Sequence, residues 1–520
     1  MLKDPVMAAF DYLVVGSGSA ADTLASRLSE DAARRVLLLR AGSGRTPTAR
    51  PSRGLTDGGA LSKPASERRS MAEIIDGRRI VYPRGKLTGS SSAVDATLAL
   101  RGTPQDFGEW AALGNPAWSW EHVRSFYQRL EDDLDHDDDI HGRGGPVPIR
   151  RWRPDEFSPC QQSFLQACRK AGFPETDDHN HPAATGVGPA PACRRDPATP
   201  WSTVAGYLGG TVRSRANLTV RSVAHVNRVL FAGGRARGVE VTLVGGGVEG
   251  VAGDTVVLAA GALTSPAILL RSGIGPASDL RRLGIAVRED RAGVGADLID
   301  RPRTGAFMVP EAEPSGAPGT LVQTVLRTTA PGSARFNDLQ YHLVDRLDLA
   351  LSPDLRRVAA GSTVFGVVAV HQKPRSRGRI VLTAADPASP PDVVLNFLAA
   401  ESDADVLVDA ARTCWELVQA PGVAENGRRP VVLGDDMVDD DEMMRDYVRL
   451  SIDSGEHPAG TARMGAASDD SAVVSERLAV HGADNLYIAD ASVMPSMVSG
   501  SGDLTSIMLG ERLAHWLRTA

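Results

Sequence analysis

No stretch of this 520-residue chain holds ~18 consecutive apolar residues, so a membrane-crossing helix is not expected. Cysteine is scarce. The four present, Cys160, Cys168, Cys193 and Cys414, form no CxxC pair and no zinc-ligand spacing, which argues against a disulfide scaffold or a metal centre and fits reduced, structural thiols. Aromatic residues make up only 5%, giving no sign of a stacking cage for one class of substrate. Positive charge is in deficit: the formal net charge is −7. The acidic runs EDDLDHDDD (131–139) and DDMVDDDE (435–442), read as solvated loop or helix faces, argue against nucleic acid as a partner. The opening MLKDPVMAAF lacks a basic segment followed by a long apolar one, so no secretory signal is expected and a cytoplasmic protein is the default.

What is present is an alternation of short apolar runs, glycine turns and helical patterns, the signature of an α/β chain with two or more domains. The segment from Ser43 to Arg69, rich in Gly, Pro, Ser, Thr and Arg, reads as an irregular excursion. A second interruption at PEAEPSGAPG (310–319) precedes FNDLQYHLV and GSTVFGVVAV, whose alternating and β-branched residues predict strands. A domain crossing is expected there.

The stretch DYLVVGSGSAADTLASRLSEDAARRVLLLRAG (11–42) predicts a strand, a glycine turn, a helix from about Ser19 and a second strand. Gly16 and Gly18 permit a tight turn with close backbone approach, Ala21 stands at the third glycine position, and the free N–H groups at the helix start suit a pyrophosphate. Near the ~20-residue spacing at which an acidic residue ordinarily accepts hydrogen bonds from an adenosine ribose stands Arg40. Arginine offers only donors. By itself that points to a 2′-phosphate and NADP.

The remaining motifs argue otherwise. PRGKLTGSSSAVDATLALRGTPQDFGEWAALGNPAWSW (83–120), GALTSPAILLRSGIGP (261–276), GEHPAGTARMG (455–465) and NLYIADASVMPSMVSGSGDLTSIMLGER (485–512) together resemble, in order, the signatures of the glucose-methanol-choline (GMC) flavoprotein oxidoreductases. The resemblance runs nearly end to end. It implies a Rossmann-like FAD-binding domain and a substrate domain built on an antiparallel sheet covered by helices. The expected division is 1–150, 217–310 and 455–520 for FAD, and 151–216 and 311–454 for the substrate, a small molecule. DTVVLAAGAL (254–263) and NLYIADASV (485–493) read as buried strands, with Asp490 and Ala491 near the cofactor. Gly89, Ser90, Ser91 and Asp95 of the first signature are expected at the flavin, and Val223 near the adenine. The FAD is expected to be non-covalent, since Val94 offers no histidine for a covalent link.

In this family a histidine takes the alcohol's proton as hydride passes to the flavin, and His457 matches that histidine. An imidazole with an ordinary pKa of ~6.5 suits such a base. His136, His141, His179 and His181 lie in polar stretches and are read as surface residues. Where the family has a second histidine or an asparagine, Asp503 is expected, orienting His457. Other departures are Ser90 for glycine, Asp95 and Asp297 for asparagine, and Arg301 for a common histidine. They concentrate on the ribose, the flavin edge and the catalytic pair. Three functions follow: an FAD-dependent alcohol oxidoreductase, a non-redox lyase, isomerase or cyclase using a His457/Asp503 acid–base dyad with FAD weakened or lost, and a catalytically silent binding protein.

Overall fold

A computed structural model describes residues 10–41, 67–85, 98–197, 199–311, 322–349, 353–361 and 363–519. Gly89, Ser90, Ser91, Val94 and Asp95, most of the Ser43–Arg69 excursion and most of 310–319 lie outside the described residues.

The run YLVV (Tyr12–Val15) is buried at every position, as a strand covered on both faces must be. It lies inside a five-stranded parallel sheet ordered Leu218–Val223, Val36–Ala41, Tyr12–Val15, Thr255–Leu258, Leu486–Ile488. Both strands expected from 254–263 and 485–493 are therefore present. A chain reversal Ser19–Leu28 forms the first helix, which packs on the terminal helix Gly502–Thr519. Gly510 makes that approach possible, because a Cβ there would stand 3.0 Å from the Ala20 carbonyl oxygen. Glu511 locks the pair together, accepting from Arg27 Nε at 2.8 Å and from the Tyr207 hydroxyl at 2.8 Å. This half of the molecule is Rossmann-like.

A second sheet is antiparallel throughout and contains Gly427–Pro430, Pro302–Pro310, Thr363–His371, Leu339–Asp348, Thr324–Thr328 and Gly186–Pro189 in that order, with Asp453–Ser454 on Pro302–Arg303. Its strands at 339–348 and 363–371 are those the alternation predicted. Helix Glu401–Gln419 covers one face, inserting Leu407, Ala411, Cys414 and Val418 into a core with Val367, Ala369 and Leu343. The α/β class and the antiparallel substrate sheet are thus as expected. Strand Pro302–Pro310, which directly follows the segment carrying Asp297 and Arg301, joins this second sheet and carries the chain from one half to the other.

The acidic run at 131–139 is not all solvated. Glu131 and Asp133 are buried, and so are His141 and His179, which the polar sequence context had placed on the surface. The reason is local compensation. Arg101 pairs with Glu131, Arg151 pairs with Asp133 and with Asp178 (2.6 Å), and His141 Nε2 lies 3.1 Å from Asp178. Although burial works to lower it, hydrogen bonds to Asp133, Asp178 and Glu131 hold His141 up at about 10. Three carboxylates then face three cations, which is how buried charge is tolerated. Glu131, Asp133 and His141 do converge closely enough to suggest a metal site, but those same atoms already face the two arginines. His179 takes the other route: burial and the neighbouring Arg327 push it down to about 3, and it stays neutral.

Candidate active site

The strand ends Val15, Ala41, Val223, Leu258 and Ile488 share the carboxyl edge of the parallel sheet, where ligands of such sheets bind. Gly16 is dictated by packing, since a Cβ there would lie 2.0 Å from the Ala259 carbonyl oxygen and 3.0 Å from Ala21. At Gly18 a Cβ would meet nothing within 4 Å. Gly18 also starts the first helix without any side-chain cap, leaving its amide donors directed at the turn. Val223 is fully buried and lies opposite Ala41 in register. This turn fits a pyrophosphate.

Asp490 organises the neighbouring loops. One of its oxygens accepts from Gly261 N (2.9 Å) and Ser265 Oγ (2.6 Å), the other from Ser492 N (2.9 Å) and Ser492 Oγ (2.6 Å). Ala491 to Val493 then receive the histidine segment through Gly460 N, Ala462 N and Met464 N.

His457 sits on a loop fixed from both sides. The backbone at Ile299 pairs with Ala459 in an antiparallel bridge, and Gly455 N donates to the Arg301 carbonyl at 2.7 Å. Asp300, which sequence reasoning missed, anchors the turn itself. It is buried and accepts from His457 N (2.7 Å), Arg301 N (2.7 Å), the Tyr82 hydroxyl (2.7 Å) and Ser454 Oγ. The signal that could have found it is an acid beside the substituted Arg301 in the same segment, ADLIDRP (296–302). Opposite lies the 498–502 loop: Arg301 Nη2 donates to the Val498 carbonyl (2.8 Å) and to that of Gly500, and Asp106 accepts from Ser499 N and Oγ, both at 2.9 Å. A Cβ on Gly502 would stand 3.9 Å from His457 Nδ1, so this loop faces the imidazole.

One expectation about the catalytic pair is corrected, and the other residue gains a partner. His457 does not keep an ordinary pKa: burial, followed by the charges of Arg301, Arg303 and His342, pushes it down to about 3. The Asp503 carboxylate accepts from Ser19 Oγ, at the start of the first helix. The reason is its position on the terminal helix Gly502–Thr519, whose first turn meets the first turn of Ser19–Leu28.

The other substitutions find partners. Asp297, in left-handed backbone (φ 51°), pairs with Arg463 Nε at 3.0 Å. Arg40 lies 3.1 Å from Asp22, a residue of the first helix. Among the described residues that pairing leaves no carboxylate in the place of the ordinary ribose acceptor, so the described part of the cradle fits the pyrophosphate of FAD and does not fit its adenosine ribose.

Residues 10–303 and 374–510 match the family models described as GMC oxidoreductase. The 5-(hydroxymethyl)furfural oxidase of Methylovorus sp. (strain MP688) is 34% identical over 98% of this chain and 99% of its own length. Pyridoxine 4-oxidase from Mesorbium loti superposes with a TM-score of 0.89 at 28% identity, covering 98% of this chain and 99% of that one. An FAD-dependent oxidoreductase from Chaetomium thermophilum does so with a TM-score of 0.85 at 25% identity, covering 98% and 99%. With its parallel sheet, its glycine turn and its His457 loop all in family order, the chain belongs to the GMC oxidoreductase family.

Proposed function

We propose that this protein oxidises a small alcohol, with His457 receiving the hydroxyl proton. The observation that carries the reading is the placement of His457: a half-buried imidazole whose backbone is pinned by Asp300, facing a loop that Arg301 and Asp106 hold. The relatives named for hydroxymethylfurfural and pyridoxine point to a small hydroxymethyl compound as substrate.

FAD, when bound non-covalently, would supply the acceptor for the two electrons that leave the alcohol carbon as hydride. Gly16, Gly18 and the start of helix Ser19–Leu28 would hold its pyrophosphate. The chain's own residues handle the proton. With its pKa near 3, His457 is neutral across physiological pH and so is free to accept. The Arg301 and Arg303 charges that make it a weak base also favour the negative charge that develops on the substrate oxygen as its proton departs. Asp300 acts as a positioning residue, since it touches the His457 backbone rather than the imidazole.

The test is to saturate the purified protein with FAD without oxygen and add hydroxymethylated aromatic and aliphatic alcohols one by one. Loss of oxidised-flavin absorbance with formation of the aldehyde is the expected result; a flavin that stays oxidised with every alcohol overturns the reading.

A further inference from the structure

Arg40 and FAD disagree about polarity. A ribose diol brings two hydroxyl protons that want acceptors, and a carboxylate at the end of the second strand ordinarily supplies them. Here Arg40 occupies that end, 3% exposed, with Nη2 3.1 Å from Asp22 Oδ1 and 3.3 Å from the Ser17 carbonyl oxygen. The guanidinium therefore lies against the glycine turn. Its Nε and Nη1 are buried and have no hydrogen-bond partner. Unmet buried donors are costly, and in native proteins they mark a place that something else completes.

Asp22 does not restore the missing acceptor. It is fully buried, its Oδ2 accepts from Thr203 at 3.0 Å, and its Oδ1 lies 3.1 Å from Arg40 Nη2 as an ion pair without accepting a hydrogen bond. Arg213, exposed on the short helix Gly210–Arg213, is near enough to act on both partners.

We infer that this end of the cradle receives an adenosine whose ribose carries a 2′-phosphate in preference to the free diol of FAD, with Arg40 Nε and Nη1 donating to the phosphate oxygens. The planar fork of arginine matches a phosphate, and such charge-assisted pairs are the stronger kind. The pyrophosphate contacts at Gly16 and Gly18 are common to both ligands, so discrimination lies at the ribose. FAD is then a weakly held, exchangeable cofactor, and 2′-phosphoadenosine nucleotides compete with it. The inference rests on the glycine turn as the nucleotide site and not on the oxidation chemistry.

Adenosine 2′,5′-bisphosphate and 5′-AMP differ only in the 2′-phosphate and are the probes. They are titrated into FAD-loaded protein while the fluorescence of released flavin is read, and into the protein as purified by calorimetry. The bisphosphate is expected to act at a concentration at least roughly tenfold lower than AMP. Arg40→Gln should erase the difference. Arg40→Glu alone sets a second carboxylate against buried Asp22, so the reversal is sought in Arg40→Glu/Asp22→Asn, which should retain FAD more tightly and prefer AMP. Equal potency of the two probes on the unaltered protein, a preference that survives both variants, or the absence of binding by either probe overturns the inference. An alcohol panel that leaves flavin oxidised while the 2′-phosphate preference persists counts against the proposed function alone.

Discussion

The two ends of the nucleotide cradle carry the same kind of substitution and handle it differently. Near His457, a family asparagine has become Asp297 and a common histidine has become Arg301, and each new charge is put to structural use: Asp297 joins Arg463, and Arg301 ties down the carbonyls of Val498 and Gly500. At the ribose end, Arg40 gains Asp22 yet keeps two buried donors unmet. A charge change absorbed by the protein's own backbone and side chains preserves a site.

The comparison is broken most sharply at His457. If the reactive end is preserved, His457→Ala should lower alcohol turnover by roughly 10²- to 10⁴-fold, the usual worth of a general base, with the fold intact by circular dichroism. The unaltered enzyme should show no ionisation of His457 between pH 5 and 8, because that group is already neutral above a pKa of about 3. A loss of only a few fold would remove His457 from the chemistry.

Asp300 comes next. Asp300→Ala leaves four donors unmet, of which the Tyr82 hydroxyl, Ser454 Oγ and Arg301 N are buried, and removal of such an acceptor costs about 3 kcal/mol or more. Both melting temperature and turnover should fall. Asp300→Asn keeps an oxygen for part of this set and should recover some of each. An alanine variant as active as the parent would show that the His457 backbone holds its place without Asp300.

Most of the fold was legible in the sequence, because strands such as YLVV and TVFGVVAV declare burial by composition, and the glycine at position 16 is forced by the approach of Ala259. The site was less so. The contact of Asp503 with Ser19, 484 residues away in the chain, could not be read from its motif. His141 and Glu131 sit in a run of charges that reads as solvated; their partners Arg101, Arg151 and Asp178 come from distant segments. Pairing across the chain is what a linear pattern does not display. The pKa of His457 is another such property, lowered first by burial and then by Arg301 and by Arg303 and His342 on strands of the second sheet.

That buried cluster supplies the third test, away from the cradle. The folded pKa of His141, about 10, exceeds its unfolded value of ~6.5, so its contribution to stability is fully present below pH ~6.5 and is lost as pH rises through 10. His141→Gln should therefore destabilise by a few kcal/mol, on the order of magnitude such a shift allows, near pH 6 and by much less near pH 10. Chemical denaturation at the two pH values measures it. An equal loss at both would mean that His141 acts by packing and not by charge.

The smallest effect separates charge from backbone at Asp297. Its ion pair with Arg463 is partly exposed, with side-chain accessibilities of 37% and 22%, and pairs of that kind contribute ~0–1 kcal/mol. Arg463 also has Asp469 at 2.8 Å, so it is not stranded when Asp297 is neutralised. Asp297→Asn keeps the side chain's shape and its tolerance of left-handed backbone, and should shift stability by less than ~1 kcal/mol while leaving turnover within about twofold. Asp297→Ala removes the pair and also places an ordinary residue at φ 51°, which adds ~1 kcal/mol of strain. Asp297→Gly removes the side chain and relieves that strain. The order expected in thermal denaturation is therefore Asn above Ala, with Gly above Ala as well. If Asn falls as far as Ala, the charge of Asp297 matters more than its backbone, and the reactive end would depend on its altered residues as strongly as the ribose end depends on Arg40.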